Sequence, residues 1–226
     1  IGRMFGLGGL PVVNATALYY LRSYAVLFVL CALGSTPWPA RWARKLQVRG
    51  IGTVIHRNVV HLPNRLDQKV EFLSMIAAAG HTPHTDHVRV DILPADESLA
   101  RLLEIEPGAQ TVRVHKRVLA DEKPVIFCID YFPLAIFRGT SPLQLDMTEP
   151  VFDMLKRECG QVVTSTTTRV QAAYGDPGMR RLMELSSGEA LLLLDEVSYT
   201  RLCLPVMRSL GYYTNFFDFS ILRKKF

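Results

Sequence analysis

Side chains able to bind or to do chemistry fall into three groups. His81, His84, Asp86 and His87 stand together as HTPHTDH. Imidazole and carboxylate are metal ligands, but strand residues three apart point to opposite faces, so a single site needs a turn at Pro83. Solvated polar residues at a strand start account for the run without a metal, and none is expected. Lys116, Cys128 and Asp130, with Val118, occupy alternate positions of two neighbouring β-rich runs and share one face. An ammonium, a thiol and a carboxylate so placed suit a small polar ligand. Phe152, Met207 and Tyr213 can line a pocket beside them, or serve only as core. Paired carboxylates, a nucleophile elbow, a Ser/His/Asp set and an Arg-rich pocket for a dicarboxylate do not stand out. The residues therefore point to binding rather than catalysis, and no cofactor is expected.

The elements that position these residues occur twice. From about Thr85 the chain repeats loosely at 80 to 81 residues: Arg101-Leu102-Leu103-Glu104-Ile105 and Gly108 match Arg181-Leu182-Met183-Glu184-Leu185 and Gly188. Arg89-Val90 matches Arg169-Val170, and Lys123-Pro124-Val125 matches Leu204-Pro205-Val206. Each copy reads strand, helix, strand, turn, strand. Asp96 and Asp176 stand where a carboxylate caps the free N–H groups of a helix start. Leu99, Leu102 and Leu103 form a core stripe at helical spacing. Gly108 and Gly188 turn the chain into β-rich runs, and Asp121-Glu122-Lys123 reads as a hairpin turn. Two such units predict an α+β fold, one six-stranded antiparallel sheet with flanking helices on one side. The cleft between copies suits a small ligand. The repeat carries Lys116 onto Glu196 and Cys128 onto Ser209, so Lys116 and Glu196 are expected as pseudo-symmetric partners across that cleft. The alternative is a surface ion pair worth ~0–1 kcal/mol.

Charge divides the chain differently. Eight Lys or Arg and no acid precede Asp67, so residues 1–66 carry +8 and the remaining 160 carry −3. A basic segment suits an anionic partner, nucleic acid or a membrane surface. With 49% apolar and 21% charged residues, a sizeable core can form and wholesale disorder is excluded. Cys31, Cys128, Cys159 and Cys203 are scattered singly, which argues against a zinc site or disulfide framework and for a reducing, cytoplasmic setting. Residues 15–34 are apolar but broken by Arg22, and their clean run is half the ~20 residues of a membrane span. A buried helix capped by Asn14 is the plainer reading, with a signal or membrane anchor as the alternative.

An ordered set of features carries a family resemblance. These are Gly80 ahead of the first strand, the helix and turn over 95–108, and KRVLADEKPVIFCIDYFP over 116–133. The helix over 151–159 leading into Gly160 follows, then the closing residues 204–224 with Tyr212-Tyr213 and FFDFSILRK. Residues 70–226 thus resemble the UTRA effector domain of HutC-type members of the GntR regulator family. The resemblance implies a chorismate-lyase-like fold without that enzyme's activity, since fold does not carry function. It also implies a small effector, a homodimer, and control of operator-DNA binding, as a repressor or an activator.

Residues 46–69 resemble the wing and linker that end the family's winged helix-turn-helix domain. Arg49, Gly50 and Gly52 would then lie against DNA, the glycines allowing close approach and the arginine neutralising phosphate. Residues 1–45 form an atypical hydrophobic and basic segment with neither P-S-E-x-x-L-A nor V-S-R-x-T-V-R. The abrupt switch near Lys45 reads as frameshifted or mis-assembled coding sequence. In the sugar-phosphate-sensing branch two basic residues, an acid and a Ser pair hold the effector. Those positions here carry Lys116, Val118, Cys128 and Glu149-Pro150, so a phosphosugar, which needs several converging donors, is disfavoured. The effector site expected comprises Lys116, Cys128, Asp130, Phe152, Glu196, Met207, Ser209 and Tyr213. A ligand-binding module without DNA activity is the alternative function.

Overall fold

Runs rich in valine, threonine and aromatic residues, bounded by Pro, Gly or Asp, favour extended chain because branched and flat side chains pack well on a pleated surface. They form the main sheet. The computed structural model describes residues 46–48, 52–54, 64–221 and 223, and the chain divides into two units, residues 1–60 and 61–226. In the second unit lie β3 (Pro83–Pro94), β4 (Gln110–Ala120), β5 (Lys123–Pro133), β6 (Val163–Tyr174), β7 (Ala190–Thr200) and β8 (Pro205–Tyr213). They make one six-stranded antiparallel sheet in the order β3-β4-β5-β8-β7-β6. Four helices accompany it: α1 (Phe72–Ala78), α2 (Glu97–Leu103), α3 (Val151–Cys159) and α4 (Pro177–Leu182).

The duplication read from the sequence is also a duplication of register. Lys116 faces Cys128 across β4 and β5, and Glu196 faces Ser209 across β7 and β8. Val90 pairs with Val114, and Val170 with Leu194. A bulge after Val118 has its counterpart after Ser198. Glu104 and Glu184 share left-handed φ values of 51° and 55°, and Gly108 and Gly188 values of 83° and 80° that a side chain would oppose. The first hairpin turns through Asp121-Glu122, between paired Ala120 and Lys123. The second is one residue longer, closed where Thr200 N–H donates to Leu204 O at 3.0 Å. That residue is why the spacing is 80 before the turn and 81 after it. Ile129 pairs with Leu210, which is its own counterpart under this spacing, so a pseudo-twofold axis passes through the sheet there.

Helices cover both faces rather than the one expected. Asp96 caps α2, accepting from Leu99 N–H at 2.7 Å, and Asp176 caps α4, accepting from Gly178 and Met179 N–H at 2.8 and 2.9 Å. Alternate residues of the inner strands, such as Phe127, Ile129, Tyr131 and Tyr212, pack on these two helices. The intervening residues meet α1 and α3. A helix on each face buries both sides of β4 and β5, which explains their nearly continuous burial. The repeat also extends further upstream than Thr85: α1 ends before Gly80 (φ 87°) and α3 before Gly160 (φ 65°), 80 residues on. α1 packs on Val125, Ile126, Leu194 and Tyr213, while α3 packs on their counterparts Val206, Met207, Val114 and Phe132. Each helix therefore straddles both copies.

In the first unit, β1 (Leu46–Val48) pairs antiparallel with β2 (Gly52–Val54), with Val48 opposite Gly52. Gly52 thus begins a strand, whereas Arg49 and Gly50 lie outside the described residues, as do the apolar stretch 15–34 and Asn14. Among the described residues no helix is long and apolar enough to cross a membrane.

Candidate functional site

The face covered by α1 and α3 carries a polar row in an otherwise apolar layer. Lys116 on β4, Cys128 and Asp130 on β5, Ser209 on β8 and Glu196 on β7 are each at most 5% exposed. The pleat points all of them to one side, and pairing of Lys116 with Cys128 and of Ser209 with both Asp130 and Glu196 brings them together. Asp130 Oδ1 accepts from Ser209 Oγ at 2.6 Å and from Cys128 Sγ at 3.1 Å. Its Oδ2 lies 3.3 Å from Lys116 Nζ, an ion pair without a directed hydrogen bond. Burial opposes the Lys116 charge, but Asp130 first and then Glu71 outweigh it and hold the ammonium above the ordinary lysine value. Burial, reinforced by Asp130, pushes the Cys128 thiol well up, so it acts as a neutral donor.

Glu196 does not pair with Lys116 as expected. Its Oε2 accepts from Lys69 Nζ, and its Oε1 from Thr168 Oγ1 at 2.9 Å. Lys116 already has Asp130, one pleat away on the adjacent strand, so the two counterparts are satisfied separately. Lys69 Nζ also lies 5.5 Å from the ring centre of Phe72 and 6.0 Å from that of Phe152. Two residues on, Glu71 stands at the N-cap of α1, and its Oε1 accepts from Phe152 N–H at the start of α3 at 3.0 Å. α3 has no capping side chain of its own at Pro150. Burial raises the Glu71 carboxyl, partly offset by the Phe152 N–H.

Two openings flank this row. A narrow crevice lined by Val114, Lys116, Asp130, Phe132, Met147, Glu149, Val151 and Met154 has no room for a water-sized sphere. The other opening offers about 490 Å³, within the range of small-ligand sites. Leu194, Glu196, Tyr213, Thr164, Thr166 and Thr168 form its sheet wall, and Lys69, Val70, Met75 and Phe219 its rim. The Tyr213 phenol is pushed well up by burial and then by Glu196, so it stays protonated.

Of the residues expected at the site, Lys116, Cys128, Asp130 and Ser209 form one cluster, and Glu196 and Tyr213 line the larger opening. Phe152 lies beside Lys69 and lines neither opening. Met207, 1% exposed, is core packing under α3 and lines neither opening. Lys69, Glu71 and Thr168 were not legible, because their partners are 127, 81 and 28 residues away. The HTPHTDH side chains are drawn apart: His81 Nδ1 meets Asp121 at 2.7 Å, Asp86 is held by Arg117 at 2.6 Å, and His87 (φ 48°) falls in the irregular register between Asp86 and Arg89. Among the described residues no group of three or more His, Cys, Asp or Glu is placed to hold a metal ion.

The family model for the UTRA domain matches residues 78–215. The Bacillus subtilis (strain 168) protein named uncharacterized HTH-type transcriptional regulator YurK is 25% identical over 139 residues, 62% of this chain and 57% of its own length. The crystal structure of its C-terminal domain covers 61% of this chain and 95% of its own, with a TM-score of 0.55 at 25% identity. The crystal structure of PhnF from Mycobacterium smegmatis is 19% identical and covers 94% of this chain and 86% of its own, with a TM-score of 0.66. A GntR-family transcriptional regulator from Bacillus cereus, 19% identical, covers 63% of this chain and 99% of its own at 0.53. The chain spans about half the length of the curated relatives it matches.

Proposed function

Given that this chain belongs to the UTRA domain family, we propose that it is the effector-sensing part of a GntR-type, ligand-responsive transcription regulator of the HutC kind. A small effector binds on the sheet face under α1 and α3, in the opening walled by Glu196 and Tyr213 with Phe152 beside Lys69, backed by the buried polar row of Lys116, Cys128, Asp130 and Ser209, without being transformed. One observation carries this reading. The Glu196 carboxylate is buried on an apolar layer in the wall of an opening of about 490 Å³, and the buried Lys116–Asp130 pair adjoins it through Ser209. Buried charges weaken a fold relative to apolar residues of the same size, so their presence beside an opening favours a recognition role.

The effector shifts the domain between two states with different affinity for it, and the protein, as a cytoplasmic homodimer, binds or releases operator DNA accordingly. The β1–β2 hairpin with Arg49, Gly50 and Gly52 contributes to that contact. Two-fold protein symmetry matches paired operator half-sites. The test has two steps. A thermal-shift screen of sugars, amino acids, amines and carboxylic acids on the full chain is expected to find a ligand that raises the melting temperature. That ligand is then expected to alter the retardation of DNA from upstream of the protein's own gene in a mobility-shift assay. Stabilisation by a ligand without retardation of DNA would reduce the protein to a ligand-binding module.

A further inference from the structure

The larger opening is the pseudo-symmetric counterpart of the narrow crevice. Leu194, Glu196 and Tyr213 answer to Val114, Lys116 and Phe132, and Lys69, ahead of α1, answers to Glu149, ahead of α3. The charges are inverted: the sheet presents a lysine in one copy and a glutamate in the other. The copies also differ in where the opposite charge comes from. Lys116 is answered from within the sheet by Asp130, 3.3 Å away. The counterpart of Asp130 is Gly211, and the Tyr213 ring leans over it so closely that a Cβ there would stand 2.8 Å from Tyr213 Cε2. Glu196, 4% exposed, therefore takes its counter-charge from off the sheet, from Lys69 on the irregular segment before α1.

A buried carboxylate demands a cation, whichever molecule supplies it. The wall around Glu196 suits an ammonium. Thr168 holds Oε1 and leaves Oε2 to the cation, and the Phe72 and Phe152 rings lie 5.5 and 6.0 Å from the ammonium nitrogen. The Lys69 side chain is 25% exposed, against 5% for Glu196, so the cation is the partner nearer to solvent.

We propose that this pocket binds a small organic ammonium compound whose charged nitrogen takes the place of the Lys69 ammonium on Glu196. Lys69 is the ligand's intramolecular stand-in. This rests on the effector site proposed above and narrows its ligand to a cation. The exchange preserves charge: one ammonium leaves Glu196 as another arrives, and the Lys69 head returns to water. The ligand competes with a tethered rival, so its apparent affinity falls by the fraction of time Lys69 is away. Lys69 stands two residues before Glu71, which links the starts of α1 and α3, so its release acts on the segment that leads into α1.

The full chain is titrated calorimetrically with n-butylammonium, and with butyrate and n-butanol as anionic and neutral compounds of the same length. Butylammonium alone is expected to bind, about tenfold more tightly to Lys69→Met, from which the rival is gone, and not to Glu196→Gln. In the unaltered chain, acetylation of Lys69 by a succinimidyl ester, read by mass spectrometry as its ratio to acetylation of the exposed Lys123 so that ester consumed by the free amine cancels, is expected to rise with butylammonium and not with butyrate. Either variant can fail to fold; the acetylation measurement then decides. Preferential binding of butyrate or butanol overturns the ammonium class while leaving an effector site on this face. An unchanged Lys69-to-Lys123 acetylation ratio at saturating butylammonium overturns the exchange. The wider reading stands or falls separately, on whether any compound in the thermal-shift screen stabilises the chain.

Discussion

The two copies of the repeated unit share the register of their inner strands, the bulge near the hairpin and left-handed turn residues, yet they treat one buried position in opposite ways. In the first copy the sheet satisfies itself: Lys116, Asp130, Cys128 and Ser209 close a network around one carboxylate. In the second, glycine replaces the central acid, an aromatic ring fills the space, and Glu196 turns to a residue off the sheet. The first crevice admits no water-sized sphere and the second opening offers about 490 Å³. A duplicated scaffold can thus keep one half as a rigid, internally paired support and leave the other open to an outside partner. The backbone is common to both, and a few side chains decide the division.

That contrast can be broken at its centre. Asp130→Ala strands the buried Lys116 charge and is expected to lower stability by about 3–5 kcal/mol, read from urea unfolding. If Lys116 found another partner, the loss would be far smaller and the first copy would not be self-contained. At the equivalent place Gly211→Ala forces a Cβ against the Tyr213 ring and is expected to destabilise by about 1–3 kcal/mol. An unchanged unfolding midpoint would show that the ring moves freely and does not hold the second pocket's shape. The helix caps sharpen the comparison from the other direction. Asp96→Ala and Asp176→Ala each remove the side chain that satisfies a helix start, and both are expected to lower the melting temperature by less than Gly211→Ala does. A much larger effect at one of them would mean that the copies contribute unequally to folding.

The Glu71 carboxyl is raised by burial, so the folded state holds its proton more tightly than the unfolded chain does. Stability associated with Glu71 is full at pH below the ordinary glutamate value and declines as pH rises through the raised one. Glu71→Gln keeps an acceptor for Phe152 N–H and has no charge to bury. It is expected to gain on the unaltered chain as pH climbs from acid to neutral in paired thermal melts, and a variant that loses ground over that range would contradict it.

Much of this was legible beforehand. The matched Arg-Leu and Gly positions, the Asp caps and the hairpin turn prescribed two copies of strand, helix and hairpin, because each signal acts over a few residues. α3 was legible as a helix, but its counterpart α1 was not assigned to the repeat, since only Gly80 and Gly160 mark the equivalence. The grouping of Lys116, Cys128 and Asp130 followed from period-two alternation on neighbouring strands. The pairing of Lys116 with Glu196 did not survive, because counterpart positions in a repeat are related by the pseudo-twofold axis and need not touch it.

By itself, then, the order of residues determined the strands, caps, turns and register of this domain, all set by local conformational preference and by which face each side chain takes. Tertiary structure alone decided which charges meet. Lys69 reaches Glu196 across 127 residues and Glu71 caps a helix 81 residues away, neither segment carrying a periodic signal. Electrostatic partners inside a fold are chosen by distance and dielectric after the sheet has closed, and no local pattern records that choice.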